Sequence, residues 1–289
     1  MDLLAQLLVN GLINGSNYAL LGVGFGLIFA TTRIVHFAYG PIYTAAAYAT
    51  WFAAMVLGLP VVLAVPFGMA AAALLGVASY LYLYRPFELR QSPPLVSLIA
   101  SLGLFIVLEN LIGIIFGAGS RVIDGLQYDV YLVGPTFFTS INLAQVVGLL
   151  LLTALLGLFL RRTSYGKAIL AMTDNPEMAR IIGIDTRRVS LLVFAIGSAL
   201  SGLPAALILM KDGATPHMGF IAVFMAFIAV VVGGIGSIRG AIVGGIALGL
   251  VESIGLWQIP TEWQNAISFI VLFLVVLLRP RGLFGMAGR

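Results

Sequence analysis

Residues 161–188 read RRTSYGKAILAMTDNPEMARIIGIDTRR, the only long polar run in a chain that is otherwise almost continuous apolar segment. The run carries six of the fifteen Lys and Arg residues and three of the eleven acidic ones. On both sides of it, apolar stretches near 20 residues recur, about the length a helix needs to cross a ~30 Å hydrocarbon layer. A chain in lipid satisfies its backbone hydrogen bonds internally, so these stretches fold as helices. The reading is an all-α, polytopic helical membrane protein. It forms one transmembrane domain over 1–289, with 161–188 as a cytoplasmic loop within it.

Composition excludes the other classes. The chain is 61% hydrophobic and 9% charged, against about 25% charged for a soluble domain. A net charge of +4 and a pI near 9.5 do not indicate nucleic acid, because basic cytoplasmic loops orient membrane proteins. There is no cysteine and only two histidines, His36 and His217, so no disulfide or metal site is expected. Asp2 stands where a cleavable signal peptide would carry basic residues, and the apolar run behind it is too long.

Nine candidate spans lie at about 3–30, 38–58, 61–83, 95–116, 142–160, 189–211, 219–236, 240–256 and 263–279. The two around Gly233–Gly245 are short enough to be half-helices, which would leave eight. With nine, thirteen Lys and Arg residues fall on one side and only Arg121 and Lys211 on the other. The positive-inside rule then puts the N-terminus outside and the C-terminus in the cytoplasm. The same parity makes spans 1–4 and 6–9 two four-helix halves of opposite topology, a common transporter plan with the pathway at the interface.

Small residues recur at four-residue spacing: Gly11 and Gly15, Gly22 and Gly26, Gly113 and Gly117, Gly236, Gly240 and Gly244, Gly245 and Gly249. That spacing lets helix backbones approach closely. The run Gly233-Gly234-Ile235-Gly236-Ser237 also reads as a hinge or broken helix. It lacks the Lys-Ser/Thr ending of a phosphate loop. The loop 117–141 is the longest on the outside, a connector or a cap for an external partner.

Ionised groups within a span cost about 2.5–3.5 kcal/mol on insertion scales, so Glu109 and Glu252 are candidates for a water-filled path or for structural pairs. Asn10, Asn14 and Asn17 fall on one face of the first span. They act either as interhelical glue or as a polar lining. His36, Tyr39 and Tyr43 recur at three- and four-residue spacing where the second span begins, as an interfacial aromatic belt or a substrate contact.

Within the central loop, 166–173 has an apolar helical pattern that opens near Gly166. Asn175 then reads as an N-cap, Pro176 as the first helical residue and Glu177 as a first-turn acid. Met178, Ile181 and Ile182 form an apolar stripe and Gly183 closes the helix. Such a helix lies on the membrane lipid surface or docks in a groove of a soluble partner.

Glu177-Met178-Ala179 followed by Gly183 resembles the E-A-A-x-x-x-G coupling motif of ABC importer permeases, with Met for the first Ala. The stretch from Ser164 to Val189 resembles the central loop of LIV-type branched-chain amino-acid permeases. So do NGLINGSNYALLGVGFGLIF at 10–29, Tyr84-Arg85-Pro86, VVGGIGSIRGAIVGG at 231–245, Glu252 and Pro280-Arg281-Gly282-Leu283-Phe284-Gly285. The order and spacing span about 280 residues and are closer to the H-type (LivH-like) subunit than to the longer M-type. Two positions depart from the family. N-F-A-H-G is replaced by His36-Phe37-Ala38-Tyr39-Gly40, and Glu109 stands where Gln is commoner.

The resemblance implies a permease subunit in the bacterial plasma (inner) membrane. Its partners would be a second permease subunit, two cytoplasmic ABC ATPases and an external solute-binding protein. ATP would be used by the partners, with no cofactor bound here and no catalytic residue. Gly166, Asn175, Pro176, Glu177, Ala179, Ile182 and Gly183 would couple to the ATPases. Asn10, Asn14, His36, Tyr39, Tyr43, Glu109 and Glu252 are the candidates for the translocation path. The alternative class is an ion- or proton-coupled secondary transporter or channel, with Glu109 or Glu252 as its ion site.

Overall fold

The computed structural model describes residues 2–126, 128–257, 260, 263–279 and 282–284. The helices are α1 (Asp2–Thr32), α2 (Tyr39–Met55), α3 (Val61–Ser79), α4 (Arg85–Leu89), α5 (Pro94–Phe116), α6 (Ser140–Arg162), α7 (Ser164–Asp174), α8 (Pro176–Ile181), α9 (Thr186–Asp212), α10 (Met218–Gly233), α11 (Ile238–Gly255) and α12 (Gln264–Leu278). A π-helical turn, Tyr80–Tyr84, joins α3 to α4. Such widened turns add a residue to the helical register and frequently mark functional sites.

The bundle is held by small residues, as packing between helices in lipid requires. α1 lies along α11, where a β-carbon on Gly249 would collide with Gly15 and one on Gly245 with Ala19. On the other side, α9 lies along α3, with Gly202 against Met69 and Gly76 against Ser198 and Phe194. α1 and α9 meet each other at Gly24 and Gly197. Gly113 and Gly117, by contrast, abut no backbone, so their spacing carries no helix contact.

Among the described residues, six helices are long and apolar enough to cross a membrane: Leu3–Thr32, Val61–Leu89, Pro94–Phe116, Ser140–Arg162, Thr186–Asp212 and Ile238–Gly255. The helices at the second, seventh and ninth predicted spans are shorter, with 17, 16 and 15 residues, or roughly 23–26 Å at 1.5 Å per residue. Two of them begin part-way along their neighbours. After α1 the chain runs non-helically through Arg33–Ala38, and the Ala38 N–H donates to Ser101 Oγ at 3.3 Å, two turns inside the start of α5. After α9 it turns at Gly213, and His217 reaches Glu109, two turns inside the end of α5. α2 and α10 are therefore short helices, Tyr39–Met55 and Met218–Gly233, within the spans expected at 38–58 and 219–236, and the break expected at Gly233–Ser237 lies between α10 and α11.

The all-α expectation needs one correction. Val130–Val133 (β1) and Thr136–Thr139 (β2) form an antiparallel hairpin within the segment expected to be a simple loop. Val130, Tyr131 and Val133 face Thr139, Phe138 and Thr136, residues suited to a pleated ribbon. Gly134, at φ 58°, makes the turn with Pro135. The hairpin is tied to α1 by Gln6, whose side-chain amide both donates to the Phe137 carbonyl (3.1 Å) and accepts from its N–H (2.9 Å).

Basic residues gather at the end of the bundle where α1 finishes and α7 and α8 lie. Arg33 and Arg180 border one cavity there, and Arg161 and Arg239 another. Lys211 and Arg121 stand at the opposite end, where the Arg121 and Ala214 backbones pair. The outward faces of α5, α6 and α12 expose Ile106, Ile114, Leu150, Leu155, Phe273 and Leu277, surfaces suited to lipid or to neighbouring membrane helices.

Candidate translocation site and coupling face

A vestibule opens at the end remote from the basic loop. It has two lobes of about 450 and 300 Å³ that share Asn14, Lys211, Asp212 and Gln264. Asn10, Asn142 and Tyr128 line the larger lobe. Asn17, Tyr18, Tyr43, Leu21, Ile221 and Met225 line the smaller. The asparagine face of α1 is thus a polar lining. Asn10 also accepts from Gln6 Nε2 at 2.9 Å, while the Oδ1 atoms of Asn17 and Asn142 are buried with no hydrogen-bond partner among the described residues.

Glu252 does not line the vestibule. It is fully buried behind it on α11. One carboxylate oxygen accepts from Tyr18 Oη at 2.8 Å and Gln264 Nε2 at 3.3 Å, the other from Ser268 Oγ. This joins α1, α11 and α12, and two of its partners, Tyr18 and Gln264, are vestibule residues. Glu109 lies outside both lobes and hydrogen-bonds His217 Nδ1 at 2.8 Å. Glu109 and Glu252 are therefore both paired, and neither faces the vestibule.

A second cavity, about 550 Å³, opens at the basic end among Arg33, Val35, Tyr84, Glu88, Met172 and Arg180. Between it and the vestibule lies an aromatic layer. Tyr43 borders the vestibule, and Tyr39 Oη donates to the Leu21 carbonyl at 3.2 Å. His36 Nδ1 hydrogen-bonds Tyr84 Oη at 2.7 Å, and that hydroxyl is 2.7 Å from Ser101 Oγ. The rings of His36, Tyr84 and Tyr80 surround Phe194 of α9, with centroids 5.1–5.3 Å from it. His36 and Tyr39 are fully buried, so neither sits in an interfacial belt. The layer lies between the two cavities, with Tyr43 bordering one and Tyr84 the other.

The central loop folds as two capped helices. Thr163 Oγ1 accepts from the Gly166 N–H at 2.9 Å and starts α7. Gly166 packs directly on Phe159 and Leu160 of α6, which seats α7 against the bundle. Asn175 Oδ1 accepts from the N–H groups of Glu177 and Met178, each at 3.0 Å, and starts α8 with Pro176 at its first position. Gly183, at φ 90°, ends it, and the Ile184 N–H returns to the Ala179 carbonyl at 3.0 Å. Ala179 is buried, whereas Met178, Ile181 and Ile182 are 54%, 77% and 66% exposed. The apolar stripe therefore has no partner within the described residues. Gly166 and Ala179 anchor the loop rather than forming its outer surface.

Residues 7–276 match the family described as "Branched-chain amino acid transport system / permease component". The chain belongs to this family. It is 33% identical over 97% of its length, and 95% of the relative's, to the high-affinity branched-chain amino acid transport system permease protein LivH of Salmonella typhimurium. It is 31% identical, over the same shares, to the corresponding protein BraD of Pseudomonas aeruginosa. The structure of PsaBC from Streptococcus pneumoniae in complex with Fab shares the fold, with a TM-score of 0.53 at 15% identity, covering 95% of this chain and 92% of that one.

For this family member, the sequence pointed to the Asn10 and Asn14 face, Tyr43 and the central loop, and the structure gathers them at two surfaces. The sequence reading missed Lys211, Asp212 and Gln264. Lys211 and Asp212 did leave a signal, being adjacent charges on the side of the membrane that is otherwise nearly free of basic residues.

Proposed function

We propose that this permease is the membrane-spanning subunit of an ATP-driven importer for branched-chain or related amino acids in the bacterial plasma membrane. It assembles with a second permease subunit, two cytoplasmic ATPases and an external solute-binding protein. The observation that carries this reading is α8, a rigidly capped helix presenting Met178, Ile181 and Ile182 outward at the basic end. An apolar helix face held away from its own core fits a groove in a partner. Gly166, Asn175, Pro176, Glu177, Ala179, Ile182 and Gly183 build and present it.

Substrate enters the vestibule past Asn10, Asn14 and Tyr43. It passes the His36–Tyr39 layer and leaves through the cavity at the basic end. ATPase movement reaches that layer through α9, which runs from the coupling loop to Phe194 beside His36. Alternation between the two openings follows from two packings of this layer.

The helices that cross do so with the N-terminus outside and the C-terminus inside, as two inverted halves. Paired contacts support this arrangement. α1 packs on α11 as α9 packs on α3, and each of α2 and α10 begins after a long helix and a turn back towards the middle. Reconstitution with the partner subunits tests the reading. ATP-dependent uptake of labelled leucine that needs the binding protein is expected; uptake by the chain alone, without ATP, would overturn it.

A further inference from the structure

We propose that Lys211 and Asp212, the last two residues of α9, receive the charged ends of a zwitterionic amino acid in the vestibule, the carboxylate on Lys211 and the ammonium on Asp212. This rests on the importer reading above and names the groups that recognise the substrate on entry.

Both residues border both lobes, so the pair stands at their junction. Neither makes an ion pair within 4 Å or a side-chain hydrogen bond among the described residues. Successive residues on a helix point about 100° apart, which suits two neighbouring charges to bracketing a ligand rather than neutralising each other. The placement of Asp212 is also unfavourable for the helix itself. It is the final residue of α9, where unpaired carbonyls already concentrate negative charge. An ammonium seated there relieves both.

Asn14, which borders both lobes beside the pair, adds a side-chain amide at their junction. An amide offers an acceptor for a ligand ammonium and donors for a carboxylate. The floor of the smaller lobe is Leu21, Ile221 and Met225. Charged groups at the rim over an apolar floor match a charged head with an aliphatic side chain. A sugar offers no charges for the rim, and a simple cation would leave Lys211 opposed.

The test uses the complete importer in proteoliposomes. ATP-driven uptake of labelled leucine is read beside the ATPase activity that the leucine-loaded binding protein stimulates. Lys211→Met and Asp212→Asn are each expected to lower uptake about tenfold or more, the scale of one lost charge-assisted hydrogen bond, with stimulated ATPase kept within about twofold of wild type. Lys211→Arg and Asp212→Glu keep the charges and should retain most uptake, which separates loss of charge from loss of fold. Wild-type uptake in Lys211→Met and Asp212→Asn overturns the proposal and leaves the importer reading standing. Stimulated ATPase that falls in step with uptake also overturns it and assigns the pair to docking the binding protein. A wild-type complex that imports no amino acid overturns the importer reading itself.

Discussion

Gly40 and Gly219 lie backbone against backbone where α2 and α10 begin, and a β-carbon on either would collide with the carbonyl of the other. Phe105 of α5 closes over the same point. The two short helices thus start from one contact in the interior, next to the His36–Tyr39 layer.

Gly219→Ala is expected to lower the melting temperature of the detergent-purified complex and reduce uptake, because overpacking a tight contact costs about 1–3 kcal/mol. Gly103→Ala is the control. A β-carbon there meets nothing within 4 Å on α5, and Ala gains up to ~1 kcal/mol of helix propensity over Gly. Equal melting temperatures for the two variants would refute a tight Gly40–Gly219 contact.

The coupling face separates shape from surface. Asn175→Ala removes the α8 cap at about 0.5–2 kcal/mol, and Gly183→Asp forces a side chain into a left-handed backbone costing roughly 1–2 kcal/mol. Ile181→Ser disturbs nothing inside the chain, because Ile181 is 77% exposed. All three are expected to weaken co-purification of the ATPases, with only Ile181→Ser leaving the chain's own stability unchanged. Full ATPase binding by Ile181→Ser would remove α8 from the interface.

Glu252 is expected to act as a strut. Glu252→Ala strands the hydroxyls of Tyr18 and Ser268 at about 1–3 kcal/mol each, lowering thermal stability and uptake together. Glu252→Gln keeps an acceptor and is expected to retain uptake within about twofold and most of the stability. Abolished uptake in a fully stable Glu252→Gln protein would place its charge on the path instead.

Glu109 pairs with a His217 side chain that is 76% exposed. The Glu109 side chain itself is 17% exposed, but with its partner this open to solvent the pair contributes about 0–1 kcal/mol. Glu109→Ala is therefore expected to change the melting temperature little and leave uptake within about twofold of wild type. A loss of tenfold or more in leucine uptake would assign Glu109 to the path.

Much of this was legible in the sequence because lipid imposes strong rules. The central loop announced itself by charge, and Asn175-Pro176 and Gly183 announced the ends of α8 by capping chemistry. The hairpin was hidden by its short strands in an apolar context, although Val130–Val133 and Thr136–Thr139 flanking Gly134-Pro135 carry the residue types that form one. The second helix looked like a full span because Ala38 is as apolar as a membrane interior, whereas 219–236 already read as short. Only the contacts of Ala38 with Ser101 and of His217 with Glu109 place their starts part-way along α5. Glu252 looked like a pathway residue because its partners Tyr18, Gln264 and Ser268 are scattered along the chain. Lys211 counted only towards orientation, and Asp212 was passed over, because a charge at a helix end is ordinarily just solvated.

The α1–α11 glycine contact also sets an order of events during synthesis. Gly15 emerges from the ribosome early, but Gly245 and Gly249 come near the end of the chain. At about 5–20 residues per second, α1 waits roughly 10–50 s in the bilayer before its mate arrives. A face of small residues, Gly11, Gly15 and Ala19, therefore stays without its partner until α11 is made.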